Sequence, residues 1–152
     1  MRAKPKYKQG IYKPINKVKY KGSTPIVYRS GLELSYMRFL DNNTSIVSWG
    51  SESVVVPYLK PTDGKMHKYF IDFNFVIQDR KGKRHKFLIE VKPAKQCKPP
   101  STKNRKNKMT LLKEQITYAT NTSKWKAASE WGKKHGYTFT IVTEIDIKNL
   151  KK

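Results

Sequence analysis

Acidic residues are scarce in this chain of 152 residues, which contains 11 Asp and Glu against 33 Lys and Arg. The formal charge of +22 and the isoelectric point near 10.1 predict a polyanionic partner: DNA, RNA or, less readily, an anionic membrane surface. No apolar run approaches the roughly 20 residues that a membrane-spanning helix needs. No apolar segment follows the basic N-terminus, as it would in a secretory signal peptide. We therefore expect neither a membrane protein nor a secreted one.

Cysteine is nearly absent, since Cys97 is the single one in the sequence. One cysteine excludes an internal disulfide and is typical of proteins from a reducing cytoplasm. There is no Cys-x-x-Cys pair and no cluster of His and Cys, so the sequence predicts no zinc site. Because Cys97 lies in a stretch rich in Lys and Pro, we expect an exposed thiol without a catalytic role.

The pattern of apolar residues predicts one α/β domain with a mixed sheet flanked by helices. A length of 152 residues is enough for one domain with a substantial core. Helices are predicted at residues 30–41, 109–119 and 124–136, the last capped by Ser123, with a short helical turn at 146–150. Strands are predicted at residues 45–48, 52–59, 68–78, 84–92 and 137–144.

Two segments combine many basic residues with no acid. Residues 1–24 contain eight Lys and Arg, two Pro and three Tyr, which predicts an arm that precedes a domain at 25–152. Residues 93–108 contain six Lys and Arg and three Pro, which predicts a loop. Basic side chains supply most non-specific affinity for nucleic acid. We predict DNA contacts from Lys13, Lys17, Lys19, Lys21, Arg29, Lys95, Lys98, Lys103, Arg105, Lys106 and Lys108.

Two of the few carboxylates fall inside the two most hydrophobic strands, at Asp72 and Glu90. Side chains alternate between the two faces of a strand. Glu90 shares a face with Lys92, and Asp72 interrupts an apolar face of the preceding strand. Two carboxylates buried side by side are costly unless a cation lies between them. The pattern therefore predicts a metal site with an adjacent ammonium group.

Glu33 has two interpretations that its spacing leaves open. Ser30 and Glu33 form the pattern of a capping box, in which the glutamate closes back on the helix N-terminus. Glu33 also lies one and two turns before Met37 and Leu40, at the edge of the apolar face of the helix. In that position its carboxylate would reach a metal site at the end of the sheet.

Several segments together resemble a known family. They are YRSGLELSYMRFLD, VSWGSESVVVPYL, KYFIDFNF, FLIEVKP, NTSKWKAASEW and FTIVTE, and they span residues 28–144. The chain resembles the head-completion nucleases of T4-like tailed bacteriophages, which are similar to TnsA-type transposon-end nucleases of the PD-(D/E)xK superfamily. One departure is Ile71, where the superfamily pattern has Pro. The resemblance implies a restriction-endonuclease-like core.

The resemblance also implies a metal-dependent endonuclease that hydrolyses phosphodiester bonds in packaged phage DNA during head completion, before tail attachment. Its active-site residues would be Glu33, Asp72, Glu90 and Lys92. Asp72, Glu90 and the backbone carbonyl of Val91 would hold Mg²⁺, or Mn²⁺ in its place, with Glu33 binding directly or through water. Lys92 would position the attacking water or neutralise developing charge.

The implied partners are double-stranded DNA and phage head or portal–neck proteins, with no membrane. The implied location is the host cytoplasm during assembly, with presence in the virion left open. The alternative is a non-enzymatic, basic DNA-binding structural protein of the head or neck. The number of metal ions, the oligomeric state and the preferred DNA structure do not follow from the sequence.

Overall fold

The computed structural model describes residues 9–103 and 107–150, which form an α/β domain. Its core is a sheet of four strands with helices on both faces, as the sequence predicted. In chain order the elements are β1 (Gly10–Tyr12), β2 (Ile26–Tyr28), α1 (Gly31–Asn42), β3 (Ile46–Ser51), β4 (Val55–Leu59), β5 (Met66–Phe70), β6 (Phe73–Gln78), β7 (Arg84–Val91), α2 (Lys108–His135), β8 (Tyr137–Val142) and α3 (Glu144–Leu150).

The central sheet has the strand order β3-β6-β7-β8, in which only β7 and β8 run parallel. One face packs against α1 and α3 through a cluster that includes Met37, Phe73 and Ile147. The other face packs against α2 through a second cluster that includes Leu88 and Ala128. Because alternate residues of β7 enter the two clusters, its C-terminal half is buried on both faces.

The prediction of one continuous strand at residues 68–78 is wrong. The chain forms β5 and β6 instead, and it bends at Ile71 and Asp72 between them. β5 pairs with β4, whereas β6 pairs with β3 and β7, so the chain changes sheets at the bend. A single strand would place Ile71 and Phe73 on one face, but they enter different clusters. The bend places Asp72 at the end of a strand rather than in its middle.

A matching bend separates β3 from β4, where the prediction had strands at 45–48 and 52–59. The two bends are joined by backbone hydrogen bonds, from the Glu52 N–H to the Asp72 carbonyl at 3.1 Å and from the Ile71 N–H to the Val54 carbonyl at 3.0 Å. Glu52 has a φ of 52°, which is uncommon for any residue except glycine. The paired segments therefore leave the central sheet together.

The two helices predicted at 109–119 and 124–136 are one continuous helix, α2. Its N-cap is Asn107, whose side chain accepts a hydrogen bond from the Thr110 N–H at 2.7 Å, and it ends at Gly136 with a φ of 78°. Met109, Leu112 and Ile116, near the start of this helix, are exposed. Within the described part of the chain, no helix is both long enough and apolar enough to span a membrane.

The described part of the predicted arm packs against the domain, while residues 1–8 lie outside the described residues. β1 pairs with β2, across the predicted boundary at residue 24. Tyr12 and Tyr20 contact the ring of Trp49, which is fully buried. Asp41, at the end of α1, accepts hydrogen bonds from this segment. The division into residues 1–24 and 25–152 stays a prediction.

Candidate active site

The structure brings Asp72 and Glu90 together at the bend. Phe73 pairs with Ile89 in the register of β6 and β7, so Asp72 lies beside Glu90 across the two strands. The two carboxyl groups are close enough to interact electrostatically. Asp72 Oδ2 also accepts a hydrogen bond from the Val91 N–H at 2.9 Å. The sheet itself therefore holds both carboxyl groups in place.

Glu90 has two further partners. Tyr69 donates its hydroxyl hydrogen to Glu90 Oε2 at 2.5 Å, and Lys92 Nζ lies 3.3 Å from Glu90 Oε1. The side chains of Glu90 and Lys92 are 8% and 22% exposed. Burial, followed by the negative charge of Glu90, raises the pKa of Tyr69, so its hydroxyl remains a neutral donor. Tyr69 was not among the predicted site residues, because its position in an apolar strand is typical of a core aromatic.

The electrostatics of the pair favour a proton or a cation. Burial is the largest cause that raises the pKa of Asp72 well above its ordinary value, and the charge of Glu90 adds to it. The Val91 N–H lowers the pKa but does not compensate, and the charge of Glu33 raises it further. Two adjacent carboxylates of this kind do not both ionise readily unless positive charge lies between them.

Glu33 combines features of both interpretations. Ser30 Oγ accepts a hydrogen bond from the Glu33 N–H at 3.1 Å, which is half of a capping box. The other half is displaced, because Glu33 Oε2 accepts from the N–H of Arg29 at 3.1 Å instead of that of Ser30. Burial raises the pKa of Glu33, and the charges of Glu52 and Glu90 act in the same direction. The structure thus places Glu33 within electrostatic range of the predicted metal ligands.

Glu52 is a further carboxylate near the pair that the sequence analysis did not single out. Its Oε1 lies 2.6 Å from Nη1 of Arg29. The pKa of Arg29 is raised, first by the hydrogen bond and charge of Glu52 and then by the charges of Glu33 and Asp72. With only 11 acids in the chain, the position of Glu52 inside the motif SWGSE was the available signal.

A metal ion would find two adjacent protein carboxylates here. Across residues 9–103 and 107–150, no group of three or more His, Cys, Asp or Glu side chains is close enough together to hold an ion as a set. Asp72 and Glu90 nevertheless supply hard oxygen atoms, which Mg²⁺ and similar ions prefer. The hydrogen-bond donors around them do not offset the negative charge of the two carboxylates. The residues present therefore fit a divalent cation.

The predicted DNA-binding side chains differ in their surroundings. Lys19 is half-buried and donates from Nζ to the carbonyl oxygens of Asp41 and Asn43 at 2.9 and 2.7 Å. Arg29 is paired with Glu52 and lies near Glu33 and Asp72. Arg105 and Lys106 lie outside the described residues. Exposed positions are occupied by Lys13, Lys17, Lys21, Lys95, Lys98, Lys103 and Lys108.

The predicted loop after Lys92 begins with a 3₁₀ turn at Ala94–Cys97. The Ala94 N–H donates to Glu144 at the start of α3, with its shorter contact at 2.9 Å to Oε2. Cys97, which was predicted to be exposed, is half-buried, and burial is the largest cause that raises the pKa of its thiol. The first residues of the loop are thus fixed beside the candidate site.

Two comparisons with known proteins cover most of the chain. A family model described as TnsA-like endonuclease N terminal matches residues 43–144, a range that contains Glu52, Asp72, Glu90 and Lys92. The head completion nuclease of Enterobacteria phage T4 is 37% identical over 145 residues, which are 93% of this chain and 94% of that protein. The likeness therefore concerns the whole domain and not an isolated motif.

Proposed function

Because the chain belongs to the TnsA-like endonuclease family, we propose that it is a divalent-metal-dependent DNA endonuclease that hydrolyses phosphodiester bonds of phage DNA during head completion. The observation that carries the proposal is the adjacency of Asp72 and Glu90 across β6 and β7, with the ammonium of Lys92 3.3 Å from Glu90. This arrangement is unnecessary for binding DNA, since negative charge repels phosphate.

Asp72 and Glu90, with the backbone carbonyl of Val91, are the proposed ligands of Mg²⁺, for which Mn²⁺ would substitute. The repulsion by Glu90 that helps to raise the pKa of Asp72 supports this, because a cation between the two carboxylates would relieve it. Glu33 would act directly or through a water molecule. When bound, such an ion supplies Lewis acidity toward the phosphate oxygens.

The protein groups around the pair have separable roles in this proposal. The Val91 N–H and the Tyr69 hydroxyl fix the orientation of Asp72 and Glu90. Lys92 places a positive charge where negative charge develops on the phosphate in the transition state. Glu33, whose pKa is raised, would accept a proton from the attacking water.

The biological setting of the proposal comes from the T4 relative, whose name describes head completion. The substrate would be packaged double-stranded DNA, and the partners would be proteins of the phage head and portal–neck region. Cleavage would take place in the host cytoplasm during assembly, before a tail is attached. The formal charge of +22 favours tight binding to DNA, because basic side chains attract its phosphates.

Plasmid cleavage with Mg²⁺ or Mn²⁺, and with EDTA as the metal-free arm, tests the proposal. We expect Asp72→Ala and Glu90→Ala each to lower the cleavage rate by about 10³-fold or more, because each removes a ligand worth several kcal/mol in the transition state. DNA affinity in EDTA, measured by gel shift, should be unchanged or higher, because negative charge is removed. Glu130→Ala, on the exposed face of α2, is the matched control.

Two outcomes would contradict the proposal. A wild-type protein that binds plasmid but cleaves nothing with any divalent ion would be the alternative, a basic DNA-binding structural protein of the head or neck. Normal folding with lost DNA binding in Asp72→Ala would show that the carboxylate pair has another role.

A further inference from the structure

Glu52 and Arg29 form an ion pair at the edge of the acidic site, which consists of Glu33, Asp72 and Glu90. Arg29 Nη1 lies 2.6 Å from Glu52 Oε1. Both residues are also tied to the site through their backbones: the Arg29 N–H donates to Glu33 Oε2 at 3.1 Å, and the Glu52 N–H donates to the Asp72 carbonyl at 3.1 Å. The pair therefore connects Glu33 with Asp72.

Stability gives no sufficient reason for this arrangement. The side chains of Arg29 and Glu52 are 57% and 39% exposed, and ion pairs with that exposure stabilise a fold very little. Glu52 has a φ of 52°, a conformation that costs more free energy in a glutamate than in a glycine. A glycine at this position would suit the backbone better, but it would leave Arg29 without its partner.

The guanidinium of Arg29 is a positive group that interacts with three of the carboxylates at once. It is bonded to Glu52, and its charge also interacts with those of Glu33 and Asp72. A phosphate that approaches this cluster is repelled unless a cation meets it. An arginine fork suits that task, because it can form two parallel hydrogen bonds to phosphate oxygens.

We propose that Glu52 is a positioning residue that holds the Arg29 guanidinium near Glu33 and Asp72, where Arg29 contacts the scissile phosphate. This inference rests on the proposed endonuclease function. Glu52 acts through Arg29 and through its N–H bond to the Asp72 carbonyl, and it touches neither substrate nor metal ion. More than half of the Arg29 side chain is exposed, so a phosphate can reach the guanidinium while Glu52 retains it.

The first test compares Glu52→Gln with Glu130→Gln, which remove the same charge from the site and from the exposed surface of α2. We expect Glu52→Gln to lower kcat for plasmid cleavage by about 10- to 100-fold, with DNA affinity in EDTA equal to that of Glu130→Gln. Equal kcat values for the two variants would overturn the proposal.

Glu52→Gly separates positioning from folding. Glycine accepts the positive φ, so the melting temperature should be unchanged or higher, whereas kcat should fall as in Glu52→Gln. If Glu52 had only a structural role, Glu52→Gly would be as stable as wild type and would cleave plasmid at the wild-type rate. That result would overturn the proposal.

A double-mutant cycle tests whether Glu52 acts through Arg29. Arg29→Ala should reduce kcat at least as much as Glu52→Gln, and the double variant should be no slower than Arg29→Ala. Arg38→Ala, an exposed arginine of α1, controls for the loss of one positive charge. Losses that add in the double variant would overturn the role through Arg29.

The two levels of the proposal fail in distinguishable ways. Wild-type protein that cleaves no DNA with any divalent ion would overturn both the endonuclease function and the role of Glu52. Wild-type cleavage that Asp72→Ala abolishes, but that Glu52→Gln leaves at the level of Glu130→Gln, would overturn the role of Glu52 alone.

Discussion

Asp41 and Asp72 are carboxylates of one domain in opposite surroundings. Asp41 is completely buried, and its oxygens accept hydrogen bonds from the Tyr12 hydroxyl at 2.6 Å and from the N–H groups of Ile15 and Asn16 at 2.8 and 3.0 Å. Asp72 has one backbone donor and faces the carboxyl group of Glu90. The two acids therefore differ in the balance between donors and negative charge.

This difference appears in the direction of the pKa shifts. Burial alone would raise the pKa of Asp41, but its hydrogen bonds and the charge of Lys19 outweigh burial, and the pKa is lowered. At Asp72 burial and the charge of Glu90 act together, and the pKa is raised. Ionised Asp41 thus stabilises the fold and fixes residues 12–19 against α1. Ionised Asp72 destabilises the fold until a cation approaches, as expected for a site of binding or catalysis.

Glu33 combines features of both acids. Its N–H donates to the N-cap residue Ser30 and its carboxylate accepts from the Arg29 N–H, yet its pKa is raised as at Asp72. We expect Glu33→Gln to lower plasmid cleavage by orders of magnitude, because a charge that holds water or a proton is lost. Its melting temperature should stay the same or rise, since glutamine also accepts from the Arg29 N–H. Near wild-type cleavage would assign Glu33 to the cap alone.

Substitution of each aspartate by asparagine should change stability in opposite directions. Asp41→Asn turns an amide toward three donors, so we expect the free energy of unfolding to fall by about 3–5 kcal/mol. Asp72→Asn removes a repulsive charge and donates to Glu90, so in EDTA at neutral pH it should stabilise the protein by roughly 1 kcal/mol. Urea denaturation measures both.

Glu130→Gln is the control for these two variants, and as a surface change it should stay within about 0.5 kcal/mol of wild type. A destabilised Asp72→Asn, or an Asp41→Asn as stable as this control, would remove the distinction between a structural and a functional carboxylate.

Strand alternation was enough to predict that Asp72, Glu90 and Lys92 lie close together, because β7 is regular up to Val91. Alternation could not reveal the bend at Asp72. An apolar residue occupies nearly every position from 69 to 77, so the pattern is the same whether the chain continues in one sheet or enters a second. Tyr69 was missed for the same reason, since its role depends on the pairing of β5 with β4.

The other errors have the same kind of cause. Ser123 was interpreted as the N-cap of a second helix, which predicted a break, but the neighbouring Asn121 is buried within the continuous helix α2. Nothing in local sequence indicates that Asp41 accepts from residues 12–16, because those contacts join segments 25 or more residues apart. Tertiary packing decides both features, and single-sequence patterns do not contain it.

The pH dependence of the two variants follows from the same shifts and has opposite signs. The folded-state pKa of Asp41 lies below its ordinary value of 3.8, so its stabilisation is complete above about pH 5 and is lost as the pH falls through the lowered value. The folded-state pKa of Asp72 lies above 3.8, so its penalty is absent at low pH and grows as the pH rises through the raised value. Each unit by which that pKa is raised costs about 1.4 kcal/mol once the group is ionised.

Urea denaturation in EDTA between about pH 4 and pH 8 should therefore show two different curves. The advantage of Asp72→Asn over wild type should be smallest at pH 4 and increase with pH, because only wild type ionises at this position. The deficit of Asp41→Asn should be constant over most of this range and shrink only toward the acidic end. A gain from Asp72→Asn that does not change with pH would mean that Asp72 titrates at its ordinary value. In that case its proximity to Glu90 would carry no electrostatic penalty for a cation to relieve.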